Sequence, residues 1–271
     1  MFPDDKNEGS IGFYRVATSA LPWIQFDSLP AINLGTLGAT ANGTHLATTR
    51  GVAGALVADP GNFGIRTPIE YSGSHVYVPY QTAYNQSAPF SIELWVKPLQ
   101  TAEVACPAAS YAQVTSSTVR RDGWILYQAD PSLGNGNGFY FRCYETSGSA
   151  SFTYATASIL VSTGSWYHVV GVFDGSNVRL YVNGVSAATA PLPSGNTVRP
   201  ATATAMTFGT RSDHAYAYVG DLDEAAYYSR ALTTAEVLAH FQAGTNQSPS
   251  VPYQEIILND GPSGYWRFNE P

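Results

Sequence analysis

The chain has 271 residues, of which only 12% are charged, about half the usual share, with a formal net charge of −7 and a pI near 5.1. That balance lacks the basic footprint that a phosphate backbone requires, so a nucleic-acid partner is excluded. The length allows one large β domain or two small ones, and no apolar run approaches the ~18 residues that span a bilayer, so no membrane insertion is expected.

Along the chain the period is two almost everywhere. Residues 1–20 read as an N-terminal extension without the basic and apolar regions of a signal peptide. In "FSIELWVKP", Phe90, Ile92, Leu94 and Val96 share one side and Ser91, Glu93, Trp95 and Lys97 the other, with Ile92 and Leu94 expected in the core. Cys106 and Cys143 permit one intramolecular bridge. The Gly-, Ser-, Thr- and Tyr-rich composition has an extracellular or cell-surface character, which favours that disulfide, with two separate buried thiols as the other reading. Neither cysteine has a second Cys or His at zinc-ligand spacing.

"GFYFRCYET" alternates Phe139, Phe141 and Cys143 against Tyr140, Arg142 and Tyr144. Exposed tyrosines beside an arginine can stack on sugar rings and bind hydroxyls or an acidic group; ordinary cross-strand packing is the alternative. "WYHVVGVF" is followed by the turn "DGSN", the strand "VRLYV" and a second turn at Asn183 and Gly184, which makes a meander of hairpins. His168 shares strand parity with Trp166, Val170 and Val172 and reads as packed or backbone-bonded. "RSDHAYAY" offers a second ligand rim through Asp213, His214 and Tyr216 in a loop. One helix is expected in "TTAEVLAHFQAG": Thr233 and Glu236 form a capping box, Val237, Leu238 and Phe241 a stripe, and Gly244 a stop.

"WYHVVGVFDGSNVRLYVNGV" together with "VGDLDEAAYYSRALTTAEVLAHF" resembles the laminin G-like branch of the concanavalin A-like jelly rolls, in the form common in secreted bacterial multi-module proteins. The resemblance extends back through "FSIELWVKP" and "SGSHVYVPY" to "INLGTLGATANGT". It implies an all-β fold, a two-sheet antiparallel jelly-roll sandwich with one short C-terminal helix. Such modules tend to start with a segment like "GYWRFNEP", which pairs with the acidic strand near the module's end. "LPWIQFDSLP" already occupies that place, with Trp23 and Asp27 falling roughly where Trp266 and Glu270 fall in the tail. The expected organisation is therefore a module over 1–245 with its first strand at 21–30, a linker at 246–252, and the first strand of a following repeat at 253–271, paired with a sheet edge either of its own module or of a neighbour.

The resemblance also frames the chemistry. Glucanases of the superfamily use E-x-D-x-E, whereas "GDLDEA" puts Asp221 and Asp223 on one face and Glu224 on the other, the wrong spacing for a hydrolase. An inward carboxylate among Asp223 and Glu224 needs a cation or several donors. One reading is an ion pair of Glu224 with Arg230 or Arg179. The other is a structural Ca2+, held through Asp223 with Asn33, Asn42, Thr44 and backbone oxygens of the loop between them; Asn33 stands where the family more often has Asp, which weakens such a site. The function expected is a non-catalytic binding or adhesion module that recognises glycan or an extracellular protein among neighbouring repeats. A structural spacer and a glycan hydrolase or lyase are the alternatives.

Overall fold

The computed structural model describes residues 29–68, 74–101, 104–115, 119–129, 138–148, 151–157 and 159–270. Among these residues the strands, numbered in chain order, form two antiparallel sheets. Sheet A runs β1 (Pro30–Ala31), β2 (Gly43–Leu46), β5 (His75–Val78), β14 (Met206–Phe208), β7 (Ala105–Thr115), β8 (Val119–Gln128), β9 (Phe139–Tyr144) and β10 (Phe152–Thr156). Sheet B runs β13 (Val185–Pro191), β12 (Asn177–Val182), β11 (Tyr167–Phe173), β6 (Phe90–Pro98), β15 (Gly220–Tyr228), β4 (Phe63–Thr67) and β3 (Thr49–Ala53), and β16 (Gly264–Trp266) also pairs with β15. This is the jelly-roll sandwich that the resemblance implies.

Alternation decides which face each strand buries. Phe90, Ile92, Leu94 and Val96 of β6 are fully buried in the core between the sheets, where Phe90 stacks on Tyr227 at 5.7 Å and meets Phe141 of sheet A at 6.2 Å. The opposite face of β6 is buried too. Trp95 joins Val170, Val172 and Tyr228 in a second core beneath two helices, α1 (Thr234–Thr245) and α2 (Tyr253–Asn259). The central strands of sheet B are thus covered on both faces, which is why even the polar positions of β6, Ser91 and Glu93, are shielded from solvent.

The turns follow their chemistry. Asn183 and Gly184 both take positive φ, 51° and 76°, as a two-residue hairpin demands of the residues joining β12 to β13. Helix α1 starts where expected: the Thr233 hydroxyl accepts from the Glu236 amide at 3.2 Å, and the Glu236 carboxylate accepts from the Thr233 amide at 2.6 Å. Gly244 does not stop the helix, which continues to Thr245. A Cβ there would lie 2.4 Å from Trp95 Cζ2, so the glycine lets the helix sit on the tryptophan.

The C-terminal segment pairs with the sheet as expected but opens differently. Residues 253–259 are a second helix, and β16 then pairs Trp266 with Ala225 and Tyr265 with Ala226 of β15. Tyr265, Trp266 and Phe268 are fully buried, and the Trp266 indole donates to the Ala41 carbonyl at 3.0 Å. The stretch 246–252 therefore does not separate two folded units; the tail docks in cis and fills this sandwich. Gly35 is required here, because a Cβ on it would stand 2.7 Å from the Gly264 backbone. Of the expected first strand only residues 29 and 30 are described, and Pro30 pairs with Thr44 in sheet A. Trp23, Asp27 and the extension 1–20 lie outside the described residues.

The expected disulfide is also corrected. Cys106 and Cys143 are both free and buried. They stand on β7 and β9, with β8 between them, and on opposite faces of sheet A: Cys143 in the sandwich core, Cys106 in a cluster with Tyr111, Tyr127 and Tyr140 on the outer face.

Candidate functional site

The acidic strand β15 carries three carboxylates, Asp221, Asp223 and Glu224, all shielded from solvent. Asp221 is ion-paired with Arg66 at 2.6 Å and Lys97 at 2.9 Å. After Asp223 the register of β15 against β6 shifts, and Glu224 adopts a φ of 49°. This bulge inserts an extra residue and turns Asp223 and Glu224 to the same side, so the expectation of opposite faces fails. Asp223 accepts from the Ala55 amide at 2.8 Å. Glu224 accepts from Asn62 at 2.9 Å, from Arg267 Nε at 2.8 Å and from the Tyr265 hydroxyl. The cation is therefore Arg267 of the tail. Arg230 instead reaches Glu236 and Asp260, and Arg179 reaches Asp174. Burial and the Glu224 charge push Asp223 well above the usual carboxylate range, and burial raises Glu224 to about 7 against the pull of Arg267.

The residues named for calcium do not form a shell. Asn33 Oδ1 accepts from the Gly35 amide at 2.9 Å and the Tyr265 amide at 2.7 Å, and Asn42 Oδ1 accepts from the Asn33 amide at 2.9 Å. Thr44 lies exposed on β2 of sheet A, and Asp223 faces the β3–β4 connection of sheet B. The buried Asp223 Oδ1 has no hydrogen-bond partner among the described residues, but the Asn33 and Asn42 amide oxygens meant to join it already accept from the Tyr265, Gly35 and Asn33 amides.

A cleft of about 510 Å3 opens nearby, lined by Leu56, Asp59, Tyr253, Gln254 and Arg267 among others. Among the described residues its lining carboxylate is Asp59, ion-paired with Arg267 at 2.8 Å, and neither Asp223 nor Glu224 reaches the lining. Two carboxylates facing an open cleft, as glycoside hydrolysis needs, are not present there.

The two segments expected to bind ligand come together on the outer face of sheet A. Tyr140 stacks on Tyr127 at 4.8 Å, and Arg142 lies over Phe152 at 4.1 Å and over Tyr140 at 5.4 Å. Tyr144 packs against Tyr111 at 5.5 Å. Tyr140 and Tyr144 are each 1% exposed, so they are packing residues and offer no open platform. Arg142 is half-buried, with its guanidinium plane given to these rings.

The loop 211–216 forms the open rim of the same face. Arg211 holds Asp213 through two hydrogen bonds of 2.7 Å and donates to the Tyr127 hydroxyl at 3.2 Å. Its Cζ sits 4.5 Å from the Tyr111 ring and 4.6 Å from the Tyr216 ring. His214 and Tyr216 hold positive φ values of 62° and 56°, uncommon for residues with a side chain and costly unless the surroundings enforce them. The enforcement is visible: the Ser212 hydroxyl donates to the Ala109 carbonyl, the Thr210 hydroxyl to the Ala215 carbonyl, and the Cys106 amide to the Tyr216 carbonyl at 2.8 Å. Tyr216 is 45% exposed. The His214 ring lies 4.9 Å from that of His75, two residues before the exposed Tyr77 on β5. The Arg211 guanidinium holds Asp213 below its ordinary pKa although burial alone would raise it. Asp213, His214 and Tyr216 lie in a loop, as the sequence led us to expect. Of the residues that fix them, Arg211 had only a weak sequence signal, the Arg-x-Asp spacing at the head of "RSDHAYAY", and Tyr111 and Tyr127, distant on β7 and β8, had none.

A laminin G family model, described as the concanavalin A-like lectin/glucanases superfamily, matches residues 71–238. The chain belongs to that superfamily. No curated protein matches it. Among solved structures it is similar to the binding domain of botulinum neurotoxin serotype G, with a TM-score of 0.50 and 13% identity over 79% of this chain and 50% of that one. The serotype D ligand binding domain in complex with N-acetylneuraminic acid gives a TM-score of 0.50 and 11% identity over 78% of this chain and 50% of that one. Domain 4 of AbnA, an extracellular arabinanase from Geobacillus stearothermophilus in complex with arabinotriose, gives 0.49 and 16% over 78% of this chain and 97% of that one. The chain spans half the length of the two toxin structures, and at these identities the likeness is one of fold.

Proposed function

We propose that this chain is a non-catalytic module that binds glycan at the 211–216 rim and serves a secreted or cell-surface protein. The observation that carries the reading is Tyr216: an aromatic ring 45% exposed, held on a left-handed backbone, beside an Asp213 carboxylate fixed by two bonds from Arg211. An aromatic face with a carboxylate next to it suits a sugar, which presents an apolar C–H face and a ring of hydroxyls. Strained backbone maintained by surrounding bonds is the kind of arrangement that concentrates at binding sites. In support, the serotype D structure shows the same fold with a sugar as ligand. The shielded carboxylates of β15 favour binding over hydrolysis.

The burial of Tyr140 and Tyr144 favours one rival, a structural spacer whose outer face is merely packed. A glycan array on the purified chain and on Tyr216→Ala separates the two. Binding that is lost in the variant supports the module reading, and an array without signal favours the spacer.

A further inference from the structure

We infer that the ligand of the 211–216 rim is an uncharged sugar residue, bound by stacking on Tyr216 and by hydroxyl donation to Asp213, and that acidic sugars are rejected there. The inference rests on the glycan-binding reading and adds the chemical class.

The first argument is charge already matched. Recognition of a sugar carboxylate or sulfate is a task for guanidinium or ammonium donors aimed at the ligand. The cation built into the rim, Arg211, is committed elsewhere. Its Nε and Nη2 donate to Asp213, its Nη1 donates to Tyr127, and two tyrosine rings lie within 4.6 Å of its Cζ. Its side chain is 14% exposed, whereas that of Asp213 is 37% exposed. The ionised group that the rim shows to solvent is therefore an anion, and an incoming carboxylate meets repulsion where it would need a partner.

The second argument is the hydrogen-bonding character of what remains. An ionised carboxylate only accepts. Asp213 Oδ1 takes Arg211 Nε at 2.7 Å and the Ala215 amide at 3.3 Å; Oδ2 takes Arg211 Nη2 at 2.7 Å, which leaves it capacity for a ligand hydroxyl. The ligand must then supply O–H donors, as every neutral sugar does. The Tyr216 ring supplies the apolar half of the contact.

The third argument is the field around the site. The chain carries a net charge of −7, so the approach of an anionic polysaccharide is opposed over a distance set by ionic strength. A neutral ligand is indifferent to this field. Binding should accordingly vary little with salt.

The test is titration calorimetry with neutral probes (cello-, manno-, galacto- and arabino-oligosaccharides) and acidic probes (3′-sialyllactose and oligogalacturonate), on the native chain, Tyr216→Ala, Tyr216→Phe and Asp213→Asn. The native chain should bind at least one neutral probe and no acidic one. Tyr216→Ala should weaken that binding on the order of tenfold, while Tyr216→Phe keeps it. Asp213→Asn should weaken neutral binding and, with Arg211 released, admit 3′-sialyllactose; an unchanged melting temperature confirms that the loop has not simply collapsed. Preference for acidic probes would overturn the inference while leaving the glycan reading standing. Neutral binding untouched by Tyr216→Ala would overturn the site, and no binding of either class would overturn both.

Discussion

Glu93 and His240 share a bond across the second core: His240 Nδ1 lies 2.9 Å from Glu93 Oε2, and neither side chain touches solvent. His168 Nε2 approaches the same oxygen at 3.1 Å, the Tyr228 hydroxyl donates to Glu93 Oε1 at 2.6 Å, and His240 Nε2 reaches Asp260 at 2.7 Å. Helix α1 and the segment following α2 are thereby tied to the centre of sheet B through one imidazole.

That tie makes stability depend on pH. Burial alone would lower the His240 pKa, but Glu93 and Asp260 outweigh it and raise it from 6.5 to about 9. Burial would likewise raise Glu93, yet the two histidines hold it well below the carboxylate range. A group whose folded pKa is raised contributes stability that is complete below its unfolded pKa and lost as pH climbs through the folded one. The melting temperature should therefore fall between pH 6.5 and about 9, and His240→Gln should flatten that slope toward pH 9, leaving the part near pH 7 that the raised Glu224 also contributes, while costing about 3–5 kcal/mol at neutral pH. A native melting curve that is flat across this window would refute the assignment.

The tail is part of the core and should behave so. Trp266→Ala removes a fully buried indole, with an expected cost of about 3–5 kcal/mol. Removing residues 253–271 strips Tyr253, Ile257, Tyr265, Trp266 and Phe268 from two clusters and should leave a chain that unfolds at much lower denaturant. Chemical denaturation of the two variants beside the native chain measures both effects.

Asn33 is a structural residue of the β16 docking site. Asn33→Ala would leave the amides of Gly35 and Tyr265 unpaired in a buried setting, at about 1–3 kcal/mol for each group not rescued by water. Because those bonds are internal to the chain, the loss should be the same in calcium and in chelator. Thermal melts in both conditions check it, and a loss seen only with calcium would return Asn33 to a metal site.

Cys106 and Cys143 should titrate as two thiols in the unfolded chain without reductant, and reductant should leave the melting temperature unchanged. Thiol counting in denaturant decides this. In the folded protein both should react slowly, since burial pushes each thiol far above its ordinary pKa.

The parts of the fold legible in the sequence are those set by neighbours along the chain. The β6 alternation, the Asn183–Gly184 turn and the Thr233 capping box are all local rules, and each took the expected form. What was not legible depends on contacts between distant segments. Gly244 looks like a helix stop until Trp95 is found beneath it, and the bulge at Glu224 appears only when β15 is laid against β6. Tyr140 and Tyr144 alternate as exposed residues should, yet they are buried, because Arg142 and the rings of Tyr111, Tyr127 and Phe152 close over them. The rim residues could be named from a loop of mixed polar and aromatic residues; that Arg211 neutralises and fixes them could not.

The pairing of Tyr265 with Asn33 spans 232 positions of sequence. The β15 contacts with β16 and the bond from the Tyr265 amide to Asn33 both wait for residues 264–266, so the nascent chain holds an unfilled, strand-accepting edge until that segment has left the ribosome. Closure of so long a loop is entropically slow. During that interval the exposed Ala225–Tyr227 edge is open to any extended segment that passes, and the same geometry that seals the finished sandwich sets the period in which the chain is most open to mispairing.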